Sequence, residues 1–141
     1  MNYLLDTCVL SEARKRNADR RVVGWLGEVP ESRLYLSVIA LGEIQKGIAA
    51  LGDRERKRKL QAWLENDLRA RFAGRVLDVD TDVALEWGVL QGQALQKGTP
   101  APVVDSLIAA TAIRHNLVLV TRNVRDFAQF PVHLYDPWDE D

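Results

Sequence analysis

The sequence predicts an α/β domain, with a mainly parallel sheet covered by helices on both faces. Short β-like apolar runs alternate along the chain with longer stretches whose apolar residues recur at helical spacing. That alternation calls for crossover connections, which place successive strands parallel. No internal repeat, low-complexity tract or linker interrupts the 141 residues, so one domain over 1-141 is expected, large enough to bury a core.

The first strand is Tyr3–Leu5, and it ends on a carboxylate, Asp6, followed by Thr7. An acid there reads either as the start of a helix or as a charge placed at a strand edge to hold something. A second strand follows at Leu34–Ser37. Leu41, Ile44, Ile48 and Leu51 then form a stripe at spacings of three and four. The charged segment Asp53–Lys59 reads as a solvated helix start in preference to a dedicated binding patch. It leads into Leu60, Leu64, Leu68 and Phe72, a stripe at strict fours.

After a strand at Val76–Val79, a helix beginning near Thr81 carries Val83, Trp87, Leu90 and Ala94 and stops at Gly98, a C′ glycine. Pro102 suits the first turn of a helix running from Val104 to Arg114. Strands at Leu117–Val120 and His133–Tyr135 complete the pattern. Trp25, Trp63 and Trp87 lie on or near helical stripes as core residues. The acidic tail from Asp136 to Asp141 reads as a surface end pinned by Trp138.

Composition narrows the function classes. Apolar residues make up 47% and charged residues 28%, a globular balance. No apolar run approaches the roughly 20 residues of a membrane-spanning helix, and Asp6 and Glu12 interrupt any secretory signal pattern. Cys8 is the single cysteine, which rules out an internal disulfide and suits a cytoplasmic protein. A net charge of −1 excludes a uniformly basic nucleic-acid binder while allowing local basic patches around an acidic site.

Open parallel sheets bind ligands at the carboxyl ends of their strands. Asp6 falls there, and so do Thr121, Arg122 and Asn123. Asp105 falls in the first turn of the helix after Pro102, where the helix dipole favours an ionised carboxylate. Glu43 is flanked at helical spacing by Ala40, Gly47 and Ala50, small residues that leave room beside it. Taken singly, each acid reads as a cap or a solvated helix residue. Taken together, three acids meeting at one sheet edge without a nearby Lys or Arg repel one another. A hard divalent ion, Mg²⁺ or Mn²⁺, neutralises such an oxygen-only site.

Other chemistries lack their residues. His115 and His133 are isolated and read as structural, and Cys8 reads as a small packing residue. Phosphate-binding, dinucleotide-binding and nucleophile-elbow glycine motifs are missing. The chain has neither the adjacent acid pair and late lysine of a receiver domain nor the D-x-D of a haloacid-dehalogenase-like phosphatase, since Asp6-Thr7-Cys8 stands there.

Three segments, LLDTCVLSE, LSVIALGEIQKGI and PVVDSLIAATAIRHNLVLVTRNVRDF, resemble in order and spacing the signature segments of PIN-domain ribonucleases, most of all the VapC/FitB-type toxins. The resemblance runs from Met1 to Pro137-Trp138. It implies a three-layer α/β/α PIN-like domain and a Mg²⁺- or Mn²⁺-dependent endoribonuclease. Asp6, Glu43 and Asp105 match the metal-binding acids, and Thr7 and Thr121 match hydroxyl positions beside them. Asn123 stands where some members carry a further acid and is expected to orient a water or phosphate oxygen; Asp126 either substitutes for that acid or caps the next turn.

The resemblance further implies water as the nucleophile, leaving 5′-phosphate and 3′-hydroxyl ends. Its implied partners are RNA, a cognate DNA-binding antitoxin and a second copy of the chain, with no membrane. A regulatory subunit acting on operator DNA is the alternative, and an rRNA-processing nuclease fits less well. Arg14, Lys15, Arg16, Arg20 and Arg21 are candidates for contacts to the RNA backbone, or simply a solvated helix.

Overall fold

In a computed structural model that describes residues 1–139, five parallel strands form one sheet in the order β3-β2-β1-β4-β5. The strands are β1 (Tyr3–Leu5), β2 (Leu34–Ser37), β3 (Val76–Leu77), β4 (Val118–Val120) and β5 (Leu134–Tyr135). Glu140 and Asp141, the end of the acidic tail, lie outside the described residues.

Helices cover both faces of the sheet, so successive strand residues are apolar on either side. Leu5, Leu34, Leu36 and Val120 face one core, and Leu4, Tyr35 and Leu119 face the other. The first core is closed by α1 (Thr7–Arg14), α2 (Arg20–Glu28), α3 (Val38–Ala49), α4 (Arg54–Ala62) and the helical turns that follow α4. The second is closed by α6 (Thr81–Lys97), α7 (Val103–Arg114) and α8 (Val124–Phe127). The result is the α/β/α layering expected from the alternation.

Local chemistry explains most boundaries. Asp19, Asp53 and Asp80 accept backbone N–H bonds at the starts of α2, α4 and α6. Gly98 ends α6 at φ +67°, where a side chain would be strained. The charged Asp53–Lys59 segment is the solvated helix start it resembled. Beyond α4 the chain winds as a π-helix over Trp63–Leu68 before a short α5 (Arg69–Arg71). A stripe at strict fours overshoots a 3.6-residue turn by about 0.4 residue per step, and the wider π turn takes that overshoot back. Leu64, Leu68 and Phe72 therefore all stay buried.

The tryptophans pack as expected. Trp25 meets Tyr3 edge-on at 5.0 Å, Trp63 joins the first core and Trp87 the second. Trp138 is buried, with the Arg122 guanidinium 5.3 Å from its ring. No helix among the described residues is long and apolar enough to cross a membrane.

Candidate active site

β1 is the middle strand, and the chain leaves it towards β2 and β3 on one side while β4 and β5 lie on the other. The carboxyl ends of β1 and β4 therefore flank the point where strand order reverses, the usual ligand crevice of such sheets. Asp6 follows β1 directly and is 7% exposed. Its Oδ1 accepts from the Thr7 N–H at 2.9 Å at the start of α1, and its Oδ2 accepts from the Thr121 hydroxyl at 2.8 Å. Asp6 thus serves both readings that its sequence position left open. It caps a helix, and it holds a charge at the crevice.

Thr121, fully buried just after β4, is the cross-brace. Its oxygen also accepts from the Asn123 backbone N–H at 3.0 Å, which uses its one proton and one lone pair. Glu43 sits exposed on α3, which begins at Ser37, whose hydroxyl accepts from the Ile39 N–H at 3.0 Å. The Thr7 hydroxyl donates to Glu43 Oε1 at 3.3 Å. Both threonines therefore touch a candidate acid, the position the sequence resemblance suggested for them.

Asp105 comes from the first turn of α7, and that turn is anchored by a buried polar network. Trp87 Nε1 and Gln91 Nε2 donate to the Ser106 hydroxyl at 3.0 and 2.9 Å, and Ser106 donates back to the Pro102 or Val103 carbonyl. The Asp105 carboxyl is held above the usual carboxylate range, first by burial and then by the negative charges of Asp126, Asp6 and Glu43. Four acids from four elements thus share one electrostatic neighbourhood.

Among the described residues, none of the four forms an ion pair with a Lys, Arg or His. Nor do three such side chains already converge into a single ligating cluster. Glu43, exposed and unbranched, has the rotamer freedom to turn inward. The donor set is all oxygen and carries surplus negative charge, which fits a hard divalent cation better than a soft metal.

Three further residues border the site. Cys8 packs on the first core but also lies 3.8 Å from Asp6 Oδ2 and 3.7 Å from Thr121 Oγ1, and burial pushes its thiol pKa up. Asn123 opens α8 with an exposed side chain that makes no capping bond; what it contributes is its backbone N–H. Asp126 is not the cap but a first-turn residue of α8, near enough to act on Asp105.

The basic candidates divide. Lys15 pairs with Glu12 at 3.1 Å and Arg21 with Asp19 at 2.8 Å, while Arg14 lies 5.5 Å above the Trp63 ring. Arg16 and Arg20 are exposed. Only Arg14 and Lys15 of these five line the cleft that opens at Thr7 and Glu43. Arg56, on α4, lines it too; it lies in the charged run Asp53–Lys59, which the sequence favoured as a solvated helix start over a binding patch. Ser106 escaped the sequence reading, since a serine in a helical stretch signals nothing by itself.

The PIN domain family profile matches residues 3–132. The chain belongs to the PIN-domain family. Toxin FitB of Neisseria gonorrhoeae is 35% identical over 97% of this chain and 99% of its own length. VapC ribonuclease Y4jK of Sinorhizobium fredii is also 35% identical, over 96% and 97%. The solved structure of FitAB bound to an IR36 DNA fragment contains a chain that superposes with a TM-score of 0.90 at 33% identity, covering 99% of this PIN domain and 97% of that chain.

Proposed function

We propose that this PIN domain is the ribonuclease toxin of a toxin–antitoxin pair, hydrolysing RNA phosphodiester bonds at a Mg²⁺ or Mn²⁺ site formed by Asp6, Glu43 and Asp105. One observation carries this reading. Among the described residues, acids from separate elements lie near the strand-order reversal without a cationic partner, and burial first, then their negative charges, push the Asp105 carboxyl up. The names of the two relatives, a toxin and a VapC ribonuclease, point to the same activity.

Asp6 is oriented before any ligand arrives, because Thr7 N–H and Thr121 Oγ each fix one carboxylate oxygen and leave further lone pairs to bind a cation. Asp105 contributes from a helix start pinned by Ser106, Trp87 and Gln91. A bound divalent ion supplies charge neutralisation and Lewis acidity towards water and the phosphoryl group. Glu43, at the cleft mouth, orients the attacking water and accepts its proton, while the exposed Asn123 amide positions a phosphate oxygen. Water attack opposite the 3′-oxygen leaves a 5′-phosphate and a 3′-hydroxyl.

The partners follow from the same reading. A cognate antitoxin inhibits by covering the acids, and an arginine pairing bidentately with the carboxylates is the group best suited to do so. A second copy of the chain packs on α6, where Leu85, Val89 and Leu95 are 66%, 52% and 82% exposed along one side with Gly88 and Gly92 between them. The solved structure of FitAB bound to a DNA fragment supports the second reading, a regulatory subunit acting on operator DNA.

The test is cleavage of RNA by the purified chain with Mn²⁺ or Mg²⁺, with EDTA as control and end mapping of the products. Metal-dependent cleavage leaving 5′-phosphates is expected, together with growth arrest that co-expression of the neighbouring small gene relieves. Operator binding in complex without any cleavage would favour the regulatory reading.

A further inference from the structure

The cleft that opens at Thr7 and Glu43 measures about 380 Å³ and continues along α3 past Gly47 towards Leu51 and α4. Its rim is basic, with Arg14 and Lys15 on one side and Arg56 on the other, and Glu43 is its only acidic lining residue among the described residues. Arg56 is exposed and, among the described residues, joins no ion pair. The floor is apolar, with Ile48, Leu60 and Trp63, and Arg14 stacks over Trp63. A strip of positive charge over an apolar floor suits a sugar–phosphate chain whose backbone is anionic and whose sugars and base faces are not.

Gly47 strengthens the case. It lies in the interior of α3, one turn or about 6 Å beyond Glu43. A glycine there costs helix stability relative to alanine, although an alanine Cβ would fit, as it would at the other helical glycines. Its φ is not left-handed, and a Cβ would meet nothing within 4 Å. Lacking a side chain, it leaves the cleft open to its floor beside the acids.

We propose that this cleft is the track for single-stranded RNA on one side of the cut bond, with Arg56 and Arg14 holding phosphates next to the scissile one and Gly47 giving the strand clearance. This rests on the ribonuclease reading above and adds the path and the positioning residues to it. Lys15 contributes less, because its ammonium already pairs with the buried carboxylate of Glu12.

The experiment compares the wild type, Arg56→Ala and Gly47→Leu. Each is assayed for cleavage of a single-stranded RNA oligonucleotide, and each is titrated with that RNA by fluorescence anisotropy over a salt series in an Asp6→Asn background. Arg56→Ala should raise KM and Kd about 5- to 10-fold, leave kcat within about twofold, and lower the salt slope by about 0.7, the share of one phosphate contact on a single strand. Gly47→Leu should weaken binding as much without changing the slope, and circular dichroism should show it folded, since leucine is a better helix former. Wild-type KM, Kd and slope in both variants would overturn the proposal while leaving the ribonuclease reading intact. So would loss of antitoxin binding in Gly47→Leu with RNA binding unchanged, which would make the cleft a protein groove. Failure of the wild type to cleave or bind RNA would instead remove the ribonuclease reading itself.

Discussion

Two groups of acids, Glu12 with Asp19 and the four at the crevice, are treated in opposite ways. Between α1 and α2, Glu12 accepts from Lys15 and the Asp19 N–H, and Asp19 is chelated by Arg21 while capping α2. The Asp19 N–H and the Lys15 ammonium draw the Glu12 carboxyl below its usual range, and the Arg21 guanidinium and N–H hold Asp19 down to about 2. At the crevice, Asp6 accepts from the Thr7 N–H and the Thr121 hydroxyl and Glu43 from the Thr7 hydroxyl, while Asp105 is subject to the charges of Asp126, Asp6 and Glu43. No cation pairs with them among the described residues, and Asp105 is pushed up rather than down. The first group carries its own counter-charge and fixes a turn. The second leaves its charge unmatched, an arrangement that favours ligand binding over the stability of the unliganded fold.

The sharpest way to break that contrast is to remove charge from the second group. Asp6→Asn and Asp105→Asn should each lower metal-dependent RNA cleavage at least about 100-fold, since even supporting residues of a metal site cost 10- to 100-fold. Both should melt cooperatively, because asparagine keeps the capping acceptor at position 6. Full activity in either purified variant would remove the proposed site. Thr121→Val, which takes away the brace on Asp6, should cost about 10- to 100-fold in activity or metal affinity. An unchanged metal titration would show that the brace is idle.

Metal addition tests the same difference through stability. Mn²⁺ at about 100 times its Kd should stabilise the wild type by about 2.7 kcal/mol, read as a rise in Tm, with little rise in Asp105→Asn. An equal rise in both proteins would place the ion elsewhere.

The smallest effect concerns pH, where the two groups should move in opposite directions. Asp19 has a lowered folded pKa, so its contribution is present above the unfolded value of 3.8 and is lost as pH falls towards about 2. The gap in Tm between wild type and Asp19→Asn should therefore narrow over that interval. Asp105 has a raised folded pKa, so its ionisation opposes folding above that pKa and is relieved below it. In EDTA, Asp105→Asn should melt above the wild type at neutral pH, and the difference should vanish as pH falls towards 3.8. Parallel trends in the two variants would contradict the contrast.

The sequence made some of this plain and hid the rest, for physical reasons. Strand positions, the Gly98 stop and the start of α7 near Pro102 were legible because apolar periodicity and backbone restrictions are local. Asp6, Glu43 and Asp105 stood out only jointly, since each alone is an ordinary helix-start or surface acid. That Asp126 joins them, and that Ser106 anchors Asp105, depends on how α7 and α8 meet, which no spacing encodes. The π turn after α4 was visible as a strict-four stripe, but its meaning required the core it packs against. Asn123 shows the reverse case: its position was found, while its observed bond is made by the backbone.

The hydroxyl of Thr121 reaches Asp6 across 115 residues of sequence. β4, which carries Thr121 to that place, is the last strand to pair with β1 in order of synthesis. A chain still emerging from the ribosome holds Asp6 and Glu43 early but has neither the brace nor Asp105 until more than two thirds of it has been made. On the ribonuclease reading, a partly made chain therefore lacks the complete site. The proposed acids and their brace come together only once β4 has joined the sheet.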